Sequence, residues 1–320
     1  MTHRLVASVI GLLLAFPAWA DAPADALQWL QRVAGAAQKL TYTGIFIYQS
    51  GAQTEVSRIT HLVEAGNEME RIEVLDGSPR EVLRFNDEVK CFLPEHRLLI
   101  VERRGSSRQT FPALLPASLA SLVEHYTIRK GTTSRVAGFD SQSILIEPKD
   151  DLRYGHQFWV DTRSGLLLKA ALINERGQPL ETFAFTELRI GGPVDRSALD
   201  PRSDMQSGEW QVHNVRTARG EDNQWLFRTQ LPGFRKVMGM RRQVRPDTPE
   251  MTHVVFSDGL AAVSVFIEPL AGSKPVTGLF AMGAINAYKR VVGDHLLVVM
   301  GDIPPASVKK LADGIEAKRK

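Results

Sequence analysis

Between residues 25 and 40 the apolar positions Leu27, Leu30, Val33, Ala34, Ala37 and Leu40 recur at helical spacing and predict a first helix. From Tyr42 to Arg103 the period changes. Short strand-like runs follow one another at Thr41–Gln49, Thr54–Glu64, Glu68–Leu75, Arg80–Phe85, Glu88–Leu93 and Arg97–Arg103. Turn-formers such as Ser50-Gly51, Gly66-Asn67, Asp76-Gly77 and Asn86-Asp87 separate them. Strands at this spacing predict an antiparallel meander. Pro116 to His125 reads as a second helix, with Pro116 near its start. The meander resumes at Ser141–Glu147, Tyr154–Asp161, Leu166–Glu175 and Leu180–Ile190. Ile45-Phe46-Ile47-Tyr48, Leu98-Leu99-Ile100-Val101 and Leu166-Leu167-Leu168 are apolar at consecutive positions, so both faces of those strands need cover. A curved sheet holding helices or a ligand in its concavity meets that need.

The stretch from Gly191 to Gly208 is rich in polar turn-formers and reads as a linker. Beyond it a smaller unit opens at Trp210-Gln211-Val212-His213. Its strands are expected at Gln224–Gln230, His253–Phe256, Ala261–Ile267, Ala284–Val291 and His295–Met300, with a hairpin at Ser257-Asp258-Gly259. An amphipathic helix follows Pro304-Pro305. The basic segment Arg235–Pro246 reads as ending in an exposed loop. The expected organisation is a leader over 1–20, a large domain over 21–192, a linker over 193–208 and a small domain over 209–320.

The leader rests on Arg4, the short apolar run Val6–Phe16, the break at Pro17 and the Ala18-Trp19-Ala20 cleavage pattern, which together describe a secretory signal peptide. The run is too short for a permanent membrane anchor. The expected home is therefore outside the cytoplasm, where ATP hydrolysis and nucleic-acid reading are not normal tasks. Formal net charge is +3, and loss of Arg4 leaves +2, because residues 1–20 hold no acid. That small surplus does not make a strongly basic surface. The single cysteine, Cys91, excludes an internal disulfide. It reads as a small apolar strand residue rather than a redox or intermolecular thiol.

The chain carries no G-x-S-x-G, H-E-x-x-H, C-x-x-C, Walker or G-x-G-x-x-G pattern. Its histidines, among them His61, His96, His125, His156, His213, His253 and His295, lack ligand spacing. Neither a metal nor a cofactor is expected, and the reading moves from enzyme to binding protein. Arg103, Arg104 and Arg108 could hold an anionic headgroup. Arg241, Arg242 and Arg245 could grip an acidic partner segment. Phe46, Tyr48, Phe85, Phe158, Phe183 and Phe185 could line a lipid groove. Solvated charge and plain core packing are the competing readings for these groups.

Leu40 to Tyr48 (with Tyr42, Gly44, Phe46 and Tyr48), Trp210-Gln211-Val212, Leu231-Pro232-Gly233-Phe234, His253 to Leu260 and Met300-Gly301-Asp302-Ile303-Pro304-Pro305 resemble segments of the MucB/RseB family. Those proteins are exported regulators of an envelope-stress sigma factor. The resemblance implies a β-rich α+β chain: a large N-terminal incomplete antiparallel β-barrel with helices, similar to lipoprotein carriers, plus a smaller C-terminal α+β domain. It implies a partner, the periplasmic domain of a single-span anti-sigma factor, which the regulator shields from site-1 proteolysis. Lipid or lipopolysaccharide fragments would release the grip, and a homodimer is compatible with it. The alternative is a periplasmic lipid or lipoprotein carrier.

Overall fold

The computed structural model describes residues 23–103, 110–116, 119, 121–203, 209–214, 224–242, 250–270, 272 and 274–318. The expected leader lies outside the described residues. Helix α1 (Pro23–Lys39) buries Ala26, Leu30, Val33 and Ala37, the face its spacing predicts. Full burial of side chains such as Leu30 and Val33 stabilises by about 1.5–3 kcal/mol each.

Six strands follow: β1 (Tyr42–Ser50), β2 (Gln53–Glu64), β3 (Asn67–Val74), β4 (Glu81–Phe85), β5 (Glu88–Leu93) and β6 (Leu98–Arg103). The second helix, α2, covers only Leu122–His125, shorter than the expected 116–125. Then come β7 (Tyr126–Val136), β8 (Phe139–Pro148), β9 (Gly155–Asp161), β10 (Leu167–Ile173) and β11 (Pro179–Ile190). With β12 (Gln211–Asn214) they form one sheet of 12 strands in the order β12-β6-β5-β4-β3-β2-β1-β11-β10-β9-β8-β7. Strands β12 and β7 are left as edges, so the barrel is incomplete. Pairing is antiparallel except for β12, which runs parallel to β6 in the register Gln211↔Leu98 to Asn214↔Val101.

Trp210–His213, expected to open the second unit, is thus bonded to the first sheet. The segment before it is also fastened down. Arg196 pairs with Glu64, Arg202 Nη1 lies 3.0 Å from Glu73, and Glu81 accepts from the Arg202 backbone N–H at 3.0 Å and from the Ser203 hydroxyl at 2.8 Å.

The small domain holds β13 (Trp225–Phe227), β14 (Arg235–Arg242), β15 (Met251–Ser257), β16 (Ala262–Pro269), β17 (Gly278–Met282), β18 (Ile285–Val292), β19 (His295–Gly301), α3 (Pro305–Asp313) and β20 (Ile315–Ala317). A six-stranded antiparallel sheet, β14-β15-β16-β19-β18-β17, packs Val263, Val265, Leu297 and Val299 against Val308, Leu311 and Ala312 of α3. The short pair β13–β20 closes one end of that core. Residues 235–242 of the basic segment form an edge strand, and the loop expected at its end lies outside the described residues. An edge strand is solvated on one side and tolerates the charges that suggest a loop.

Candidate functional site

Alternation along the strands decides which side chains meet. On β1, Phe46 and Tyr48 face the concavity of the large sheet; on β11, Glu181 and Phe183 do; on β9, His156 and Phe158 do. Together with Phe111 and Leu114, from the segment between β6 and α2, they wall a cavity of about 620 Å³. The rings pack on one another: Phe111 stacks on Phe183 at 5.5 Å, and Tyr48 meets Phe183 at 4.6 Å. Such aromatic pairs add about 0.5–1.5 kcal/mol beyond the area they bury.

Four of the six aromatic residues expected to line a groove therefore do so: Phe46, Tyr48, Phe158 and Phe183. Phe185 sits behind them as wall packing, 5.0 Å from Phe111 and 6.1 Å from Phe46. Phe85 is a correction. Strand β4 turns Val82 and Arg84 toward the cavity, so Phe85, one position on, points the other way and is 54% exposed. Of the basic groups, Arg103 ends β6 exposed, while Arg104, Arg108 and Arg245 lie outside the described residues. Arg241 is on β14 and pairs with Glu250 at 3.4 Å; Arg242 is the last residue of that strand. Among the described residues no three His, Cys, Asp or Glu side chains converge to hold a metal ion, and no helix is long and apolar enough to cross a membrane.

The small domain supplies the remaining wall. Ser257, Leu260, Ala262 and Asp302 all face the cavity. What holds them there is a buried polar seam centred on Arg153, between β8 and β9. Its Nη1 donates to Asp258 Oδ2 at 2.6 Å, and its Nε donates to Asp150 at 3.0 Å. Its Nη2 also donates to the Pro232 carbonyl. The Tyr126 hydroxyl donates to the same Asp258 oxygen at 2.8 Å, while the Leu260 and Ala261 backbone N–H groups donate to Oδ1 at 3.0 and 2.9 Å. The guanidinium also rests 5.1 Å from the Phe234 ring. Two glycines let the backbones approach. A Cβ on Gly259 would come within 3.3 Å of Leu122 and Pro116, and one on Gly233 would overlap the His125 ring. Both have positive φ, which disfavours any other residue. No motif in the sequence announces this seam, although Leu231–Phe234 and His253–Leu260, two of the family-like segments, supply half of it.

Four titratable groups on the cavity wall are perturbed, Tyr48 among them, whose phenol burial pushes up. Burial pushes the Asp302 carboxyl up to about 7, despite the Ala262 N–H that it accepts at 2.9 Å, and the nearby Glu181 carboxylate adds to the rise. Burial also raises Glu181, opposed by the hydrogen bond from the Tyr48 hydroxyl at 3.1 Å. Burial lowers His156 to about 4. The imidazole is therefore neutral at pH 7, and its enclosed Nε2 finds no hydrogen-bond partner in the protein.

Residues 25–203 match the MucB/RseB N-terminal domain and residues 219–316 match the MucB/RseB C-terminal domain. The chain belongs to the MucB/RseB family. Sigma factor AlgU regulatory protein MucB of Pseudomonas aeruginosa is 32% identical over 95% of this chain and 94% of its own length. Sigma-E factor regulatory protein RseB of Escherichia coli is 24% identical over 96% of this chain and 95% of its own. Two solved structures superpose on nearly the whole chain. MucB in complex with MucA(peri) gives a TM-score of 0.71 at 29% identity, covering 92% of this chain and all of that one. MucB alone gives 0.69 at 28%, covering 92% and 98%. The MucB/RseB fold is thus an open large sheet with a separate C-terminal domain, as the resemblance implied.

Proposed function

We propose that this protein is a periplasmic regulator of a sigma factor. It binds the periplasmic domain of a membrane-spanning anti-sigma factor and shields that domain from site-1 proteolysis. An amphiphile, a lipid or lipopolysaccharide fragment, enters the cavity and loosens the grip. The observation that carries the partner is the near full-length likeness to MucB solved with MucA(peri). The cavity supports the second half. Its apolar aromatic wall suits an acyl chain, and because both domains line it, a guest there touches both. We further propose a large domain that takes in β12 and a small domain that starts after it, with the basic ends of β6 and β14 as headgroup and partner contacts.

The test is a reconstitution. The purified protein is mixed with the anti-sigma factor's periplasmic domain and the site-1 protease, with and without lipid A fragments. Protection that is stoichiometric, and lost on adding lipid, is expected. Absence of any complex in gel filtration would end this reading and leave the lipid-carrier alternative, which needs cavity binding and no such partner.

A further inference from the structure

Between the end of β11 and the start of β12 the chain crosses the outer face of the large sheet. Glu70, Ile72, Val82 and Arg84 face the concavity, so by alternation Arg71, Glu73 and Glu81 face outward, under the crossing. Both ends of the crossing are fixed by backbone. The Gly191 N–H donates to the Thr41 carbonyl at 2.7 Å, and the Gln211 N–H donates to the Arg97 carbonyl at 2.8 Å. The stretch 192–203 is held differently. None of its residues is buried, and among the described residues no backbone–backbone hydrogen bond joins it to the sheet. Its 3₁₀ turn, Arg196–Leu199, is closed from within, where Asp195 accepts the Ser197 N–H at 3.0 Å. Among the described residues each polar link to the sheet uses a charged side chain. Arg189 of β11 donates to the Pro193 carbonyl, Arg196 pairs with Glu64, Arg202 pairs with Glu73, and Glu81 accepts from the Arg202 N–H and the Ser203 hydroxyl.

The sheet does not need these links. Glu81 also accepts Arg71 Nε at 3.1 Å, and Glu73 also has Arg58 at 3.2 Å and Arg71 at 3.4 Å. Lifting the stretch therefore strands no buried charge, and it returns the exposed Arg196 and Arg202 side chains to water. Little apolar packing is lost either. Leu199 borders a hollow of about 340 Å³ lined by Met69, Leu83 and Phe85, which the stretch spans and does not fill.

We infer that residues 192–203 are a strap that releases as one unit between its fixed ends, under the control of ionic strength, while both domains stay folded. Exposed ion pairs are screened by salt, whereas the backbone ladders of the sheet are not. For a protein working outside the cytoplasm, the strap converts the salt of the surroundings into a change of surface: Glu64, Glu73, Glu81 and the hollow become accessible together. This release does not depend on which partner or lipid the protein binds.

The experiment is hydrogen exchange read by mass spectrometry on the full mature chain at pH 7, in 50 mM and in 1 M NaCl. Exchange in peptides covering 195–203 should quicken at least about tenfold at high salt, where the screening length falls to about 3 Å. Exchange in β3 and β4 should change less than about twofold, because those strands belong to a more stable unit. Arg202→Ala should exchange fast over 195–203 already at 50 mM, with little further response to salt and an unchanged thermal midpoint. Arg129→Ala, which removes an exposed pair with Glu147 on β7 and β8, should leave the strap as it is. Protection over 195–203 that salt does not alter, or that is lost only together with β3 and β4, overturns the strap. So does full exchange at 50 mM in the unmodified protein, or an Arg202→Ala protein whose salt response is undiminished.

Discussion

The Arg153 guanidinium and the Asp258 carboxylate meet 2.6 Å apart with both side chains wholly enclosed, one from the large domain and one from the hairpin between β15 and β16. A buried ion pair adds little over a well-packed apolar substitute, but removing one partner strands the other charge in a low-dielectric site. Arg153→Met leaves Asp258 and Asp150 without their cation. It should lower the unfolding free energy by about 3–5 kcal/mol. Asp258→Asn keeps an oxygen for the Leu260 and Ala261 N–H groups and leaves Arg153 with Asp150, so it should cost less. Urea unfolding of both variants decides this; a change below about 1 kcal/mol for Arg153→Met would refute the seam as the main clasp.

Asp302 and His156 give the stability curve two opposing slopes. The Asp302 carboxyl is raised from 3.8 to about 7, so the folded state holds a proton the unfolded chain has lost, and stability falls as pH rises from about 4 to about 7. His156 is depressed from 6.5 to about 4, so its contribution is present above 6.5 and is lost as pH falls toward 4. The two slopes offset each other over much of that window, because each tenfold change in proton affinity on folding corresponds to about 1.4 kcal/mol. Asp302→Asn should therefore yield a protein that gains stability as pH rises from 4 to 6.5, and His156→Phe one that loses it. Thermal melts at half-unit pH steps would show it; parallel curves for the two variants would contradict it.

Phe183 and Phe85 separate cavity lining from mere aromatic content. Phe183 lines the cavity between Phe111 and Tyr48, whereas Phe85 stands on the outer face. Phe183→Asp should reduce lipid A fragment binding by at least tenfold, and Phe85→Asp should leave it within about twofold, as surface changes do. Equal losses in isothermal titration would mean the ligand does not occupy the concavity.

Arg241 lies half-exposed beside Glu250 at the rim of the small sheet. Charge reversal at a rim acts mainly on association rate and salt dependence. Arg241→Glu with Arg242→Glu should weaken the anti-sigma complex about tenfold, or about 1.4 kcal/mol. Most of that loss should lie in the association rate measured by surface plasmon resonance. Unchanged rates would place the contact elsewhere.

Much of the architecture is legible because burial writes a period into the chain. The α1 face, the β5 limits and the β15–β16 hairpin all follow their patterns. Besides the three-residue β20, three strands escape for one reason, that edges are not patterned by a core. Strand β7 is largely polar with Gly131 at its middle, β14 carries Arg235, Lys236, Arg241 and Arg242, and β17 is a short apolar run whose outer positions are exposed. Aromatic residues announce the cavity, but not the face on which Phe85 falls. Asp302 and Glu181 are far apart in sequence and carry no motif, so only the docking of the two domains brings them together.

The parallel pairing of β12 with β6 has a consequence for how far the domains can part. Backbone bonds hold the chain to the large sheet through Asn214, and the described small domain begins again at Gln224. Nine residues lie between them, a tether of about 30 Å when fully stretched. If the seam opens, the small domain stays within that radius. Opening is then a short excursion with a built-in return. On the proposed function, a ligand would need only to tip the balance between two tethered states, and its departure would reset the molecule without reassembly.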